Sequence, residues 1–477
     1  MQGFQLVEQQ VAAKKSQIIL GMDEGWSELS DDEIMRRIAD ARPYIVGVKP
    51  NGAFWPDEKL SRICKRIRKE MPDLVIIYDA KRNDIGNTQK AWAQKDQENF
   101  NPHIVTLNTY MGYKDVVSPF AERGIDAFVL AATSNDGTEL QNMYSGGLTI
   151  YQQNYLLGRR YDPNNIGYVI GSTKGGAMID IRAVELEHRL NQAWGLAPGL
   201  GGSGQKGEPD AIVPFAGDYT LYPMSRQFAV ENPGNEARVW RDKINDTEAR
   251  GYTIKSLSQI FIEEMIKEGI FKIASGYDDW FPLSAGGTSP IYWDVRNVQW
   301  FPDLRRQAAY LMAKTIRESG VKYDFIVPVL MGALGLGFPV ADMLDARILT
   351  VRDKLNRPGQ QEFVGRPVPG SVGLMVEDVF TTLKSTEETI EKVRNLREKK
   401  NPDDEGVPLN LMIRTAAALM NREQAVPEKL NQFANNEIKL LNTFVQSDVI
   451  EKVLGNDPRR AMVMKYLEDE KQKPRAA

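Results

Sequence analysis

Short apolar runs alternate with amphipathic stretches along the first half of the chain, and a polar residue follows each apolar run. Continuous apolar runs of this length are typical of strands buried on both faces, and the stretches between them are typical of helices. The apolar runs lie at residues 17–22, 44–48, 74–78, 104–107, 127–132, 166–170, 194–197 and 219–224. Eight strands separated by helices predict an α/β fold, a (β/α)8 TIM barrel, whose chemistry lies at the carboxyl ends of the strands.

The most informative polar residues follow the third run, where residues 79–84 read Asp-Ala-Lys-Arg-Asn-Asp. Asp79 and Lys81 are two residues apart, so on an extended backbone both side chains leave the same face of the strand. In a shared pocket the carboxylate would keep the lysine protonated, which suits the delivery of a proton to a carbanion. The alternative is a structural ion pair at the end of a strand.

A glycine-rich segment follows the seventh run, and Arg226 follows the eighth. Residues 199–207 read Gly-Leu-Gly-Gly-Ser-Gly-Gln-Lys-Gly. Loops after strands seven and eight of TIM barrels commonly bind phosphate, because glycine admits backbone N–H groups to the anion and arginine adds a charged fork. The segment therefore predicts a phosphate site, with a flexible linker as the alternative.

The second half of the chain begins after a polar stretch at residues 231–255, so we predict two domains, residues 1–250 and 251–477. Its clearest pattern is an apolar strand over residues 373–376 that runs into Glu377 and Asp378, followed by hydroxyl-bearing residues that open a helix. Carboxylates there can accept ribose hydroxyl groups, and helix N–H groups can bind phosphate. An ordinary Thr/Ser helix cap is the alternative.

Composition narrows the possible functions. The 477 residues carry 60 basic and 64 acidic side chains, and this net charge of −4 gives no general attraction to nucleic acid or to anionic membranes. The single cysteine, Cys64, excludes an intramolecular disulfide, and we expect it to pack in a helix rather than act as a nucleophile. His103 and His188 are too few for a histidine-rich metal centre. We see no signal peptide and no membrane span, and we expect a cytoplasmic protein.

The residues of the first half resemble the orotidine 5′-phosphate decarboxylase family. The resemblance covers about residues 1–245 and rests on the D-x-K-x-x-D pattern, Lys49, Thr-Ser-Asn at 133–135, the Pro-Gly loop at 198–207 and the arginine at position 226. It implies a charge tetrad of Lys49, Asp79, Lys81 and Asp84, with Asp84 offered to the neighbouring subunit of a homodimer. The reaction it implies requires no cofactor and no metal.

The same resemblance assigns substrate contacts. Asp23 would hold the ribose of orotidine 5′-monophosphate (OMP), and Ser134 would hold the pyrimidine. Gln205 and Arg226 would hold the phosphate. Further substrate contacts are implied for Thr88 and Asn108.

The second half resembles the type I phosphoribosyltransferases and, among them, the orotate phosphoribosyltransferases. The resemblance covers about residues 256–455 and implies a doubly wound α/β domain. It rests on the 373–386 segment together with residues 289–294, 323–329 and 421–424. It implies that orotate is bound by Arg422 and that phosphoribosyl pyrophosphate (PRPP) is bound, with Mg²⁺, by Arg352, Lys354, Glu377, Asp378, Thr381, Thr382 and Ser385.

The second half also departs from the pattern that it resembles. Leu383 stands where the family's phosphate loop has glycine, and a side chain there could obstruct the turn. Asn356 and Pro358 stand where the catalytic loop has lysine and histidine. An asparagine cannot supply the positive charge that leaving pyrophosphate requires.

Together the two resemblances imply a fused enzyme similar to bifunctional UMP synthases, which converts orotate and PRPP to OMP and then OMP to UMP and CO2. A second hypothesis keeps the decarboxylase and makes the C-terminal domain an inactive module for nucleotide sensing or oligomerisation. A third changes the barrel's substrate to a sugar phosphate, because related barrels share the D-x-K-x-x-D pattern, although residues 133–135 favour a pyrimidine.

Overall fold

A computed structural model of the chain describes residues 2–201, 207–225, 233–248, 252–282, 287–330, 332–352, 362–398 and 405–472. By its internal contacts the chain divides into two compact units. The first comprises residues Met1–Ser145 and Thr149–Leu257, and the second comprises residues Gly146–Leu148 and Ser258–Ala477.

Eight parallel strands close into a barrel in the first unit. They are β1 (Ile18–Met22), β2 (Gly47–Pro50), β3 (Val75–Arg82), β4 (Ile104–Leu107), β5 (Asp126–Ala132), β6 (Ile166–Ile170), β7 (Gly195–Leu196) and β8 (Thr220–Met224). Each strand pairs with the next along the chain, and β8 closes the barrel on β1 with Tyr222 opposite Ile18. The predicted TIM barrel is therefore confirmed for this half of the chain.

The helices of this unit precede, connect and follow the strands. They are α1 (Gly3–Lys14), α2 (Asp31–Ala41), α3 (Asp57–Glu70), α4 (Gly86–Phe100), α5 (Tyr113–Ala121), α6 (Glu139–Asn142), α7 (Ile150–Tyr161), α8 (Gly175–Glu187), α9 (Val213–Ala216) and α10 (Pro233–Glu248). The start of α2 is typical: the Ser30 hydroxyl accepts the N–H of Glu33, and acidic residues fill the first turn. Ile34 and Ile38, four residues apart, are buried on one face.

Several strands differ from the predicted runs, and two of the differences affect the site. β2 begins at Gly47, after a turn of 3-10 helix over Arg42–Tyr44, so Lys49 lies inside the strand rather than after it. β3 continues through Arg82, so Asp79 and Lys81 are strand residues as well. β7 is two residues long, shorter than predicted.

An apolar cluster fills the barrel interior and extends to its amino-terminal end, where α1 packs against the strands. Its members are Phe4, Leu6, Val7, Ile19, Val46, Val75, Ile77, Ile104, Phe128, Val169, Leu196 and Leu221. The backbone N–H of Phe4 donates to Asp126 Oδ2 at 2.7 Å, which ties the start of α1 to the start of β5. Burying each large apolar side chain stabilises the fold by about 1.5–3 kcal/mol. This end of the barrel is therefore structural, and the carboxyl end is left for chemistry.

The lone cysteine is a core residue, as predicted. Cys64 of α3 is 1% exposed, and burial raises the pKa of its thiol to about 12. The thiolate needed for nucleophilic chemistry is therefore scarce at neutral pH. His103 is buried too, and burial together with nearby Arg68 lowers the pKa of its imidazole to about 3.

The second unit is built on a five-stranded parallel sheet. Its strands are β9 (Phe325–Pro328), β10 (Arg347–Ile348), β11 (Val372–Phe380), β12 (Met412–Asn421) and β13 (Lys439–Val445), in the order β10-β9-β11-β12-β13. Every pairing in this sheet is parallel. Short antiparallel pairs flank it, such as Phe271–Ile273 with Ile291–Trp293.

Helices of the second unit connect and follow these strands. They are α11 (Leu257–Lys267), which begins at the last residue of the first unit, α12 (Pro302–Glu318), α13 (Leu334–Leu344), α14 (Lys384–Arg394), α15 (Pro427–Asn435), α16 (Gln446–Leu454) and α17 (Arg459–Gln472). The core of the unit gathers apolar residues from the sheet and from α14, including Phe325, Met375 and Ile390. Among the helices in the described ranges, none has the length and apolarity needed to cross a membrane.

Candidate active site

A cavity of about 580 Å³ opens at the carboxyl ends of the barrel strands. It is lined by Asp23, Lys49, Asn51, Asp79, Lys81, Thr106, Leu130, Thr133, Ser134, Asn135, Gln141, Val169, Leu196, Pro198, Gly199, Leu200, Pro223 and Ser225. The volume suits a small-molecule ligand. The strand ends thus bring together polar residues that are far apart in the sequence.

Asp79 lies between two lysine ammonium groups. Its Oδ2 is 2.6 Å from Lys49 Nζ, and its Oδ1 is 2.7 Å from Lys81 Nζ. Asp79 and Lys49 are each 6% exposed, whereas the side chain of Lys81 is 51% exposed. Of the three charged groups, Lys81 is the one that a ligand in the cavity reaches most easily.

The charges of this cluster reinforce one another. Burial alone would raise the pKa of Asp79, but the ammonium groups of Lys49 and Lys81 outweigh it and hold that pKa well below its usual range. Burial alone would lower the pKa of Lys49, but Asp79 and Asp23 outweigh it, and the pKa is raised. Asp79 and Lys49 therefore both stay charged at neutral pH.

The backbone brings Lys81 to Asp79 by an irregular route. The prediction that Asp79 and Lys81 share a face by simple strand alternation is wrong in detail. Lys81 has a left-handed φ of 49°, and the register between β3 and β4 shifts between Tyr78 and Arg82. A left-handed backbone costs about 1–2 kcal/mol in a residue with a side chain, and such strain concentrates at functional sites. The two side chains still meet, but through a bulge.

Thr106 of β4 joins Asp79 to the backbone of Lys81. Its hydroxyl donates to Asp79 Oδ1 at 2.8 Å and accepts the Lys81 N–H at 2.9 Å. The sequence analysis missed this residue. The available signal was a lone hydroxyl side chain in an apolar strand, which needs a polar partner when it is buried.

Asp23 follows β1 and offers an acceptor to a ligand. Its Oδ1 is buried and has no hydrogen-bond partner within the described ranges. Buried polar atoms are normally paired, and this oxygen leaves an acceptor unused in the cavity wall. Asn51, which the sequence analysis also missed, lines the same cavity and caps a 3-10 turn by accepting the Ala53 N–H at 3.2 Å.

The loop after β5 presents Ser134 and leads into α6. Gln141 of α6 makes two hydrogen bonds to Thr133, the residue before Ser134. Its Oε1 accepts the Thr133 N–H at 2.8 Å, and its Nε2 donates to Thr133 Oγ1 at 2.6 Å. These bonds fix the segment that carries Ser134. Gln141 lies in a polar stretch without a motif, and the sequence gives no signal for it.

Some predicted residues are not part of this cavity. Asp84, Thr88 and Asn108 do not line it within one chain. Asp84 Oδ1 accepts the N–H of the next residue, Asn108 Oδ1 accepts an N–H two residues on, and Thr88 is exposed on α4. Gln205 and Arg226 lie outside the described residues.

In the second unit, Glu377 and Asp378 lie near the carboxyl end of β11, and each is 4% exposed. Burial raises the pKa of both carboxyl groups. Glu377 accepts hydrogen bonds from the hydroxyls of Ser385, at 2.5 Å, and Thr386. Asp378 Oδ2 is buried and 3.6 Å from Arg296 Nε, too far for a hydrogen bond.

The turn before α14 carries the other residues predicted to bind PRPP. Thr381 is half-buried and Thr382 is exposed, while the Ser385 hydroxyl donates its hydrogen bond to Glu377. Leu383 adopts a left-handed conformation, with φ 65°, and is 2% exposed in the core of the unit. The turn therefore forms in a conformation that glycine adopts readily, with the leucine side chain packed inward.

The remaining predicted transferase residues are arginines and a lysine. Arg422 follows β12 and shares a small cavity with Ser289, Gln446 and Tyr466. Burial lowers the pKa of Arg422, and its Nε has no hydrogen bond within the part of the chain that the structure describes. Arg352 is half-buried. Residues outside the described ranges include Lys354, Asn356 and Pro358.

The family described as "Orotidine 5'-phosphate decarboxylase / HUMPS family" matches residues 16–214. A protein of Flavobacterium johnsoniae named orotidine 5'-phosphate decarboxylase is 33% identical over 219 residues, which cover 42% of this chain and 78% of that protein. The chain belongs to the orotidine 5′-phosphate decarboxylase family. A Haloarcula marismortui protein of the same name is 30% identical over 284 residues, 54% of this chain and 98% of that one. Decarboxylation of OMP, a step of pyrimidine synthesis, is thus the activity of the barrel unit.

Solved structures give weaker similarities. The chain is 23% identical to Leishmania donovani UMP synthase, with a TM-score of 0.47 and coverage of 98% of this chain and 100% of that chain. It is 28% identical to Leishmania donovani OMP decarboxylase, with a TM-score of 0.44 and coverage of 52% of this chain and 99% of that chain. Apart from Gly146–Leu148, the residues of the family match lie in the first unit.

Proposed function

We propose that Lys49, Asp79, Lys81 and Asp84 carry the decarboxylation of OMP. The observation that supports this most strongly is the Asp79 carboxylate, 2.6 and 2.7 Å from two ammonium groups in the barrel cavity. Charges that are fixed before the reaction need no reorganisation when charge develops in the transition state. Such a cluster suits a reaction that creates a carbanion. It therefore favours decarboxylation of OMP over the sugar-phosphate alternative.

In the proposed step, the bond between C6 of the pyrimidine and its carboxylate breaks, CO2 leaves, and the electron pair remains on C6. The Lys81 ammonium stabilises that carbanion and then gives it a proton, which yields UMP. Asp79 lies near the departing carboxylate and holds Lys81 in position. Lys81 regains its proton from water. No cofactor takes up the electron pair, so the charged side chains supply the stabilisation.

Substrate binding in this proposal uses the rest of the cavity. Asp23, with its unpaired buried oxygen, accepts a ribose hydroxyl. Ser134, held by the Thr133–Gln141 bonds, contacts the pyrimidine. Gln205 and Arg226 bind the phosphate, and these contacts far from C6 orient the reacting group.

We also propose a homodimer in which Asp84, Thr88 and Asn108 contribute to the partner's site. Beside them are apolar side chains that water surrounds: Ile85 is 52% exposed and Tyr110 is 76% exposed. Ile85 follows β3 and Tyr110 follows β4. These strands are parallel neighbours, so both residues lie at the carboxyl end of the barrel. Exposed apolar groups of this kind favour a protein partner.

For the second unit we propose orotate phosphoribosyltransferase activity, which would supply OMP to the barrel. In this proposal Glu377 and Asp378 hold the PRPP ribose, the 381–385 turn holds its 5′-phosphate, Arg352 and Lys354 bind the pyrophosphate, and Arg422 binds orotate. The carboxylates are oxygen ligands of the kind that Mg²⁺ prefers, and Asp378 Oδ2 is buried without a hydrogen bond. Bound Mg²⁺ supplies positive charge for the leaving pyrophosphate. The described ranges contain no group of three metal-ligating side chains, and Glu377 and Asp378 are the residues that would hold the ion.

Specific observations favour a second candidate for this unit, an inactive nucleotide-sensing or oligomerisation module. The Ser385 hydroxyl is engaged by Glu377. Leu383, Asn356 and Pro358 stand at positions where the resembled family has other residues. Binding of PRPP without turnover distinguishes a sensor from an enzyme.

The test is a pair of ultraviolet absorbance assays on the full chain. One starts from orotate, PRPP and Mg²⁺, and the other starts from OMP. Consumption of orotate in the first assay and of OMP in the second supports the two-step enzyme. Turnover of OMP alone supports the inactive module, with calorimetry of PRPP binding to separate sensor from scaffold. Failure with OMP while a sugar phosphate is consumed would overturn the decarboxylase proposal.

A further inference from the structure

The second unit contains a cavity that none of the preceding proposals uses. It has a volume of about 650 Å³ and lies at the amino ends of β9 and β11 and along the edge strand β10. Its lining residues are Asp324, Phe325, Arg347, Ile348, Leu349, Arg366, Pro367, Val368, Pro369, Gly370 and Ser371. The predicted PRPP residues Glu377 and Asp378 are at the other end of β11. At about 3.3 Å per strand residue, Glu377 is about 20 Å from Ser371.

The charged lining of this cavity is mostly unpaired. Arg347 and Arg366 are exposed, and within the described ranges neither guanidinium group makes a hydrogen bond or an ion pair. The carboxylate in the lining, that of Asp324, accepts the backbone N–H of Val372 at 2.8 Å. The cavity therefore carries an excess of positive charge on two planar groups that match phosphate oxygens.

An unsatisfied hydroxyl adds to this polar lining. Ser371 Oγ is buried and has no hydrogen-bond partner in the described part of the chain. Buried polar atoms are normally paired, so an unpaired one in a cavity wall indicates a missing acceptor or donor. The hydroxyl and the guanidinium groups line the same space.

The rest of the lining is mostly apolar. Phe325 and Leu349 form part of the wall and are almost fully buried, and Val368, between Pro367 and Pro369, is 60% exposed. The volume exceeds that of a lone phosphate and falls in the range of small-molecule sites. A ligand with a phosphate at one end and an apolar face on its body fits this combination.

We infer that this cavity is an effector site for an organic phosphate of the size of a nucleoside monophosphate. Arg347 and Arg366 hold its phosphate, Ser371 donates to it, and the apolar wall contacts its body. The site is separate from the PRPP residues on the same sheet. It does not depend on whether the second unit is an active transferase.

The test uses hydrogen exchange by mass spectrometry on the full chain, with UMP as the probe and uridine as the ligand without phosphate. We expect UMP, but not uridine, to slow exchange in peptides that cover residues 345–352 and 364–372. In the double variant Arg347→Gln/Arg366→Gln, the half-saturating UMP concentration for this protection should rise at least about tenfold, because two charge-assisted contacts are lost.

Arg394→Gln is the matched control, since Arg394 is an exposed arginine of α14 outside the cavity lining. It should bind as the unaltered chain does. The single variants Arg347→Gln and Arg366→Gln serve if the double variant does not fold. Absence of protection at saturating UMP, equal protection by uridine, or unchanged protection in the folded arginine variants would overturn the proposal.

Discussion

Among single residues of the barrel cavity, Asp79 contacts two lysines at once. Its oxygens are each committed to one ammonium group, and Thr106 adds a third donor. A buried carboxylate cannot lose such partners without leaving its charge uncompensated. The residues that hold Asp79 therefore affect the reaction even where they do not touch the substrate.

Thr106→Val tests this positioning role, because it removes the hydroxyl and keeps the shape. We expect kcat for OMP to fall about 10- to 100-fold while KM changes by less than about threefold, since preorganised geometry is lost rather than binding. Thr106→Ser restores the hydroxyl and should recover most of kcat. A rise in KM alone, or an equal loss in both variants, would contradict the role.

Asp126 makes the stability of the barrel depend on pH. Burial raises its pKa to about 6, although its Oδ2 accepts the Phe4 N–H. Because its pKa is higher in the folded state, the Asp126 carboxyl group holds its proton more tightly there. This adds to the free energy of unfolding below the unfolded pKa, about 3.9. The added stability is lost as the pH rises through about 6.

Asp126→Asn should therefore match the unaltered chain in stability near pH 4. At pH 7 we expect it to be more stable, with a difference in unfolding free energy on the order of 2–3 kcal/mol. Denaturant unfolding at a series of pH values measures the difference. Parallel stability curves across that range would show that Asp126 does not titrate in this way.

Among the elements, α14 has an unusual N-cap residue, which directly precedes Lys384. Leu383 combines a left-handed backbone with a side chain in the core. The two features have opposite effects on stability: the backbone strain costs about 1–2 kcal/mol, and burial of the leucine contributes more than that.

Leu383→Ala and Leu383→Gly separate these effects. Both should destabilise the second unit, Ala by about 2–5 kcal/mol because a cavity is left. Gly should destabilise it by about 1 kcal/mol less than Ala, because the left-handed strain is relieved. Thermal unfolding of both variants gives the order. A Gly variant less stable than the Ala variant would contradict the strain.

The elements that could be predicted from the sequence are those set by local pattern. The apolar runs predicted every barrel strand, because strands buried on both faces have few other sequence forms. The bulge at Lys81 and the Gln141 contacts could not be predicted, since they depend on strands and helices that meet only in the folded chain. Thr106 lies between these cases, as a polar residue whose partner the sequence does not identify.

In the whole molecule, the homodimer proposal predicts that the barrel site is incomplete in one chain. The double variant Tyr110→Asp/Met111→Asp places charge on exposed apolar residues next to Asn108. We expect sedimentation velocity to show monomers and kcat for OMP to fall by at least about tenfold, because Asp84 no longer reaches a partner's site. Leu157→Asp, at an exposed apolar residue of α7, is the control and should keep the assembly state. A monomeric double variant with full kcat would exclude a shared site.

The decisive measurement on the barrel is the decarboxylation of OMP by Lys81→Ala, followed by ultraviolet absorbance. The Lys81 ammonium is proposed to supply both transition-state charge and the proton, so we predict a loss of kcat of at least about 1,000-fold. Lys69→Ala, at an exposed lysine of α3, should retain the activity of the unaltered chain. A Lys81→Ala variant that keeps kcat within about tenfold would show that the Asp79–Lys81 pair is structural and that the carbanion is protonated by another group.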